Sequence, residues 1–303
     1  PPHQFFRIAK VRLRTTRNTT FINRLSAEET VFLCPSCIQW DRFSDLYVQR
    51  RRIPIEIAIR TPEEIGYMRE AGRILADCHR ALESRILPGI TTLEIDAWVE
   101  QFLSKRGATP EQKGYKGFPY ATCASVNEVV CHGFPSQRIL HDGDIVTIDI
   151  VVNKDGWLAD RGWTYAVGNI SRPVAKLLRQ THKALMQGIE VARPGKTLGD
   201  IGHAVEKAAR WRRYGNVKSL IGHGIGRHMH EPPDVLHYGR ARTGLPLREG
   251  MVITIEPVFT LGPEGAVLWG DDGWTISTAD GSWGAQYEHT IAITKNGPYI
   301  LTS

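Results

Sequence analysis

The chain has 303 residues, 42% of them apolar and 23% charged, and contains no run of 18 apolar residues, so it can bury a large core and offers no segment to span a bilayer. Its start lacks a basic-then-apolar leader pattern, and five scattered cysteines do not make a disulfide framework, so a reducing, cytoplasmic setting is expected. The net charge of +6 sits in residues 1–52, with ten Lys/Arg against four Asp/Glu, while the remaining 28 basic and 28 acidic residues cancel.

Residues 1–52 therefore form a basic extension, ending in Arg50-Arg51-Arg52, that suits a polyanion such as RNA or the ribosome surface, or else is a solvated tail. Cys34 and Cys37 within it resemble half of a zinc knuckle without a second pair nearby. Residues 53–303 read as one domain. Thr61-Pro62-Glu63-Glu64 caps a first helix whose apolar residues run from Ile65 to Leu82. A capping box at Thr91–Glu94 opens a second helix that stops at Gly107. Strands are predicted at 144–152 and 163–167, helices at 172–192 and 197–211, and strands at 219–222, 251–256 and 286–294. Pro88-Gly89-Ile90-Thr91 and its sequel parallel Pro194-Gly195-Lys196-Thr197, and His79-Arg80-Ala81-Leu82 parallels His182-Lys183-Ala184-Leu185. Two similar α+β halves are expected, with a site at their junction.

Three of the predicted strands carry a carboxylate amid apolar and β-branched neighbours: Asp149, Glu256 and Glu288, each with a threonine two residues away. Burying such groups costs several kcal/mol each unless a cation compensates. Asp160 follows Asp149 across a hairpin turn at Asn153-Lys154-Asp155-Gly156, so the two can come from adjacent strands. His223, between Gly222 and Gly224, adds an imidazole. His230 lies seven residues on, and a straight strand would turn the two rings to opposite faces unless the glycines bend the chain. Four carboxylates and one imidazole, with no thiolate, exceed what one tetrahedral zinc needs. They suit two bridged divalent ions about 3.5–4 Å apart, with Co, Mn, Fe and Zn all compatible.

The segments Ser125–Gly133, Gly222-His223-Gly224-Ile225-Gly226, Glu249–Pro257 and Gln286-Tyr287-Glu288-His289-Thr290 resemble methionine aminopeptidase, in order and spacing, over residues 61–300. The resemblance implies the pita-bread (creatinase/aminopeptidase) α+β fold: two pseudo-symmetric halves, with antiparallel sheet and helices, around a dinuclear metal site. It implies metal ligands Asp149, Asp160, His223, Glu256 and Glu288, and catalytic roles for His132, His230 and Glu256. It further implies a methionine pocket of Tyr115, Phe118, Cys123, Met229 and Trp274, with His132 and His230 also touching substrate. The activity implied is removal of the initiator methionine from nascent polypeptides by attack of a metal-held hydroxide on the first peptide bond. The short His230–Glu256 interval leaves no room for the long helical insertion of the type II enzymes, so type I is expected. A monomer is expected as well. The chain departs from the family pattern at Gln112, Val151 and Arg161-Gly162-Trp163. Two alternatives carry different predictions: a prolidase or Xaa-Pro aminopeptidase, and a non-catalytic RNA- or protein-binding relative.

Overall fold

The computed structural model describes residues 56–303; the basic segment 1–52, its Cys34 and Cys37, and the expected boundary at residue 53 lie outside the described residues. Four helices form where capping and periodicity place them: α1 Pro62–Glu83, α2 Thr92–Ser104, α3 Arg172–Val191 and α4 Leu198–Arg212. Thr61, Thr91 and Thr197 each close a full capping box, with Glu64, Glu94 and Asp200 returning the bond.

Each helix pair covers a sheet. α1 and α2 bury Leu75, Leu82, Ile95 and Val99 against a four-stranded antiparallel sheet. Its long central strand Ile145–Lys154 pairs along one edge with Trp157–Ala166 and along the other with Cys123–Val126 and Thr109–Pro110. α3 and α4 bury Leu177, Leu185, Ile201 and Val205 together with Ile253, Ile255 and Ile291 of a five-stranded sheet. That sheet has the order Gly297–Ile300, His289–Thr294, Val252–Ile255, Gly222–Gly224, Glu231–Val235. The internal parallel in the sequence is thus a structural duplication of two helices on a sheet.

The strands containing the acids differ from the sequence expectation. Glu256 and Glu288 stand at breaks between strands, not inside them. Val252–Ile255 gives way at Glu256-Pro257 to Val258–Thr260, and Gly284–Gln286 gives way at Tyr287-Glu288 to His289–Thr294. Ile255 pairs with His289 on one side of the break and Val258 with Gln286 on the other. Pro257 lacks the N–H a ladder needs. The freed backbone turns to the other half: Tyr287 bridges Trp163, and Glu288 N donates to Gly162 O (2.8 Å). The strand expected at 163–167 runs in fact from Trp157 to Ala166, and the one expected at 219–222 is Gly222–Gly224.

Candidate metal centre

Asp149 lies opposite Gly162 and Val151 opposite Asp160 in the hairpin register. Opposed residues point to one face, so Asp149 and Asp160 are diagonal neighbours on the same face. Gly162 lies between Asp160 and Glu288. A Cβ there would sit 3.1 Å from Glu288 Oε2 and 3.0 Å from Gln286 Nε2, so the missing side chain makes room for the Glu288 carboxylate. The threonines flagged in the sequence stitch these strands together. Thr290 Oγ1 accepts from Asp160 N (2.9 Å) and donates to Asp160 O (2.8 Å). Thr147 joins Thr164, which bonds both backbone groups of Gln286. Thr254 Oγ1 accepts from His223 N (2.9 Å) and donates to Glu256 Oε1 (2.8 Å).

His223 Nδ1 donates to Gly224 O (2.9 Å), which leaves Nε2 as the nitrogen with a lone pair. That Nε2 is 3.6 Å from Glu256 Oε1 and 3.7 Å from Asp160 Oδ2. Ligand atoms of Asp160, His223 and Glu288 all lie within 4.8 Å of one another. Asp149 and Glu256 adjoin this trio and interact with it electrostatically.

The electrostatics fit a cation. Burial pushes Asp149 up to about 6 and Glu256 up to about 8. Asp160 and Glu288 are raised well above the carboxylate range, by burial first and then by neighbouring carboxylates. Burial holds His223 down at about 3, so the ring is neutral, as a metal ligand must be. Asp160 Oδ1 and Glu288 Oε1 are buried and have no hydrogen-bond partner among the described residues. Orphaned carboxylate oxygens among raised acids are the environment that a divalent ion satisfies.

His230 converges with His223 although seven residues separate them. Between His223 and Gly224 the register shifts, and residues 225–230 loop back until the rings stand 4.4 Å apart. Glu231 holds the loop: Oε1 accepts from Arg227 N (2.9 Å) and His228 N (3.0 Å), while Oε2 bonds Arg60. Tyr115 Oη lies 3.0 Å from His230 Nδ1. His132 has a left-handed backbone (φ 52°) and a buried Nδ1 with no partner among the described residues. Gly133 follows it because a Cβ would lie 2.6 Å from Ala124 O.

The expected pocket residues assemble in two groups. Trp274 packs edge-on against both Phe118 (5.1 Å) and His132 (5.8 Å). Pairing of Ile276–Thr278 with Val129–Cys131 carries Trp274 to that place. Tyr115 and Met229 share a cluster with Val151 and Trp157. Cys123 lies opposite Asp149 in the sheet. Tyr120 and Phe134, which the sequence reading missed, brace Phe118 at 6.2 and 5.3 Å; they lie on loops, where no periodicity marks them. Gln286, also missed, donates to Glu288 Oε2 (3.4 Å). Of the departures, Gln112 clasps the Asp149 strand edge through Asp149 O and Val151 N and reaches Cys123 Sγ (3.7 Å). Arg161 alternates to the face away from the acids, where it bonds Thr302 O (2.8 Å) and stacks on Trp163.

A duplicated helix-on-sheet fold that gathers its acids at the seam between the halves is the architecture of the pita-bread metallopeptidases. Residues 66–295 match metallopeptidase family M24, and the chain belongs to that family. It is similar to "Methionine aminopeptidase 1" of Bacillus subtilis, with 45% identity over 81% of this chain and 99% of that protein. The solved methionine aminopeptidase of Rickettsia prowazekii superposes with a TM-score of 0.81 and 42% identity, over 82% of this chain and 100% of that one. The prolidase from Pyrococcus furiosus aligns with a TM-score of 0.65 and 26% identity, over 81% of this chain but 65% of the prolidase. Among the described residues no helix is long and apolar enough to cross a membrane.

Proposed function

We propose that the chain is a methionine aminopeptidase that removes the initiator methionine from nascent proteins, working in the cytoplasm as a monomer. The observation that carries this reading is the adjacency of the acid–imidazole cluster to the pocket residues: Cys123 lies opposite Asp149, and Tyr115 meets His230, whose ring stands 4.4 Å from that of His223. Aromatic and sulfur groups suit a thioether side chain. The names of two relatives with more than 40% identity support the same reading.

In this proposal Asp149, Asp160, His223, Glu256 and Glu288 hold two divalent ions. Bound there, the ions supply Lewis acidity to the scissile carbonyl and lower the pKa of the attacking water. The chain's own groups do the rest. Tyr115, Phe118, Cys123, Met229 and Trp274 receive the methionine side chain. The unpartnered Nδ1 of His132 marks it as a contact for the substrate amide. His230, braced by Tyr115, meets the carbonyl oxygen as charge develops there. Glu256, ionised when the ions are bound, would accept the proton of the attacking water and pass it to the departing amine.

Two peptides separate this reading from the prolidase one. Met-Ala-Ser supplied with Mn or Co is expected to release free methionine, and an Xaa-Pro peptide is expected to stay intact. Cleavage of the Xaa-Pro peptide alone would replace the proposal. The same reading gives the basic segment 1–52 a contact with the ribosome; co-sedimentation with ribosomes that survives deletion of that segment would rule the contact out.

A further inference from the structure

The neutral sum of residues 53–303 hides a polarised distribution. Residues 171–213, the α3–α4 hairpin, carry ten Lys/Arg and three Asp/Glu. Helical spacing sorts the cations. Arg172, Lys176, Arg179 and Lys183 recur at i, i+4, i+7 and i+11 on an exposed stripe of α3, and His203, Lys207 and Trp211 recur at i, i+4 and i+8 on an exposed stripe of α4. The helices run antiparallel, since Gln180 Nε2 donates to Ala208 O (3.5 Å) while Gly188 packs on Val205 and Ile201. The start of α3 therefore lies beside the end of α4.

Six cations gather at this end: Lys176, Arg179, Lys183, Lys207, Arg212 and Arg213. Among the described residues none of the six is in an ion pair. Of the neighbouring acids, Glu206 is already held by Arg210 and Lys218 and by Gly239 N, while Glu190 and Asp200, which also line the groove between the helices, stand at the opposite end of the hairpin, at the end of α3 and the start of α4. Between the helices runs a groove of about 520 Å³ whose lining includes Lys183, Lys207, Trp211 and Arg212. Trp211 is 79% exposed.

We propose that this end of the α3–α4 hairpin binds single-stranded RNA, with the lysines and arginines on phosphates and a base stacked on Trp211. Cations satisfy the phosphates of a nucleic acid, and one exposed indole among them supplies the π-face on which an unpaired base stacks. An anionic bilayer calls for a band of apolar side chains on such a helix pair, and an acidic protein does not pair each anionic group with a π-face as every nucleotide of an unpaired strand does. The site is separate from the acid cluster and independent of the peptidase reading.

The test uses the full chain and a fluorescein-labelled twelve-nucleotide uridylate RNA, followed by anisotropy across a KCl series. Lys183→Glu/Lys207→Glu/Arg212→Glu is expected to weaken binding at least ten-fold and to flatten the log–log salt slope by about two. Trp211→Ala is expected to weaken binding roughly ten-fold with the slope unchanged. All four side chains are exposed, so the fold is expected to survive; the Gln version of the triple variant repeats the slope measurement with a milder change. Methionine release from Met-Ala-Ser should be the same in every variant. Unchanged affinity and slope in these variants would overturn the proposal. So would tighter, equally substitution-sensitive binding to phosphatidylglycerol vesicles or to polyglutamate.

Discussion

Asp160 concentrates the problem that the centre solves. It is 5% exposed, its Oδ1 has no partner among the described residues, and carboxylates surround it. Asp160→Asn keeps the shape and removes the charge, so metal content and turnover should fall together; unchanged activity with full metal content would contradict its role as ligand. Gly162→Ala tests the room made for Glu288. With 3.1 Å between the new Cβ and Oε2 the carboxylate must shift, and metal affinity should drop roughly ten-fold, read by calorimetric titration. Glu231 touches no proposed ligand atom but fixes the loop that carries His230. Glu231→Gln should leave metal content intact and cut kcat roughly ten-fold or more, because small displacements of a catalytic group are costly. A kcat equal to wild type would remove Glu231 from the account.

At the scale of elements, the helices were legible because their signals are local. Thr61, Thr91 and Thr197 cap, an acid three residues on answers each, and the apolar period follows. The strand at Trp157–Ala166 was legible only in its second half. The hairpin turn put Asp160 on a strand adjacent to that of Asp149, but the predicted strand began only at Trp163; what extends it through Asp160-Arg161-Gly162 is tertiary: Thr290 clasps both backbone groups of Asp160, and buried Arg161 ties to Thr302 O. Asp149 was read correctly as a carboxylate within a strand, but the location of Glu256 and Glu288 at strand breaks was not legible, since those breaks arise from pairing between halves. Thr290→Val tests the clasp. It leaves a buried N–H and C=O of Asp160 unsatisfied, for an expected loss of about 1–3 kcal/mol in denaturant unfolding.

The whole molecule couples its stability to the centre. In the metal-free chain the carboxylates of Asp149 and Glu256 have folded-state pKa values of about 6 and about 8, above the values of exposed acids. Between pH ~6.5 and ~8 the buried histidines His132, His223, His237 and His289, held down at about 3 to 4, are neutral in both states, while folded-state Glu256 still holds a proton that the unfolded state has lost, so stability falls as pH rises through that window. Chelator-treated protein should lose Tm steadily from pH ~6.5 to ~8, while metal-loaded protein should not; a flat apo profile in that window would contradict the burial of uncompensated acids. Charge at this scale escaped the sequence reading, because a zero sum conceals the basic α3–α4 end.

The central claim is that the acid–imidazole cluster and the aromatic pocket form one peptidase site. It is tested most directly by stripping the chain with chelator, titrating Mn or Co back, and following free methionine from Met-Ala-Ser in wild type and His223→Ala. The account predicts no release without metal, recovery that saturates as metal binds, and little recovery in the variant. Release that persists without metal, or that His223→Ala restores in full, would contradict it.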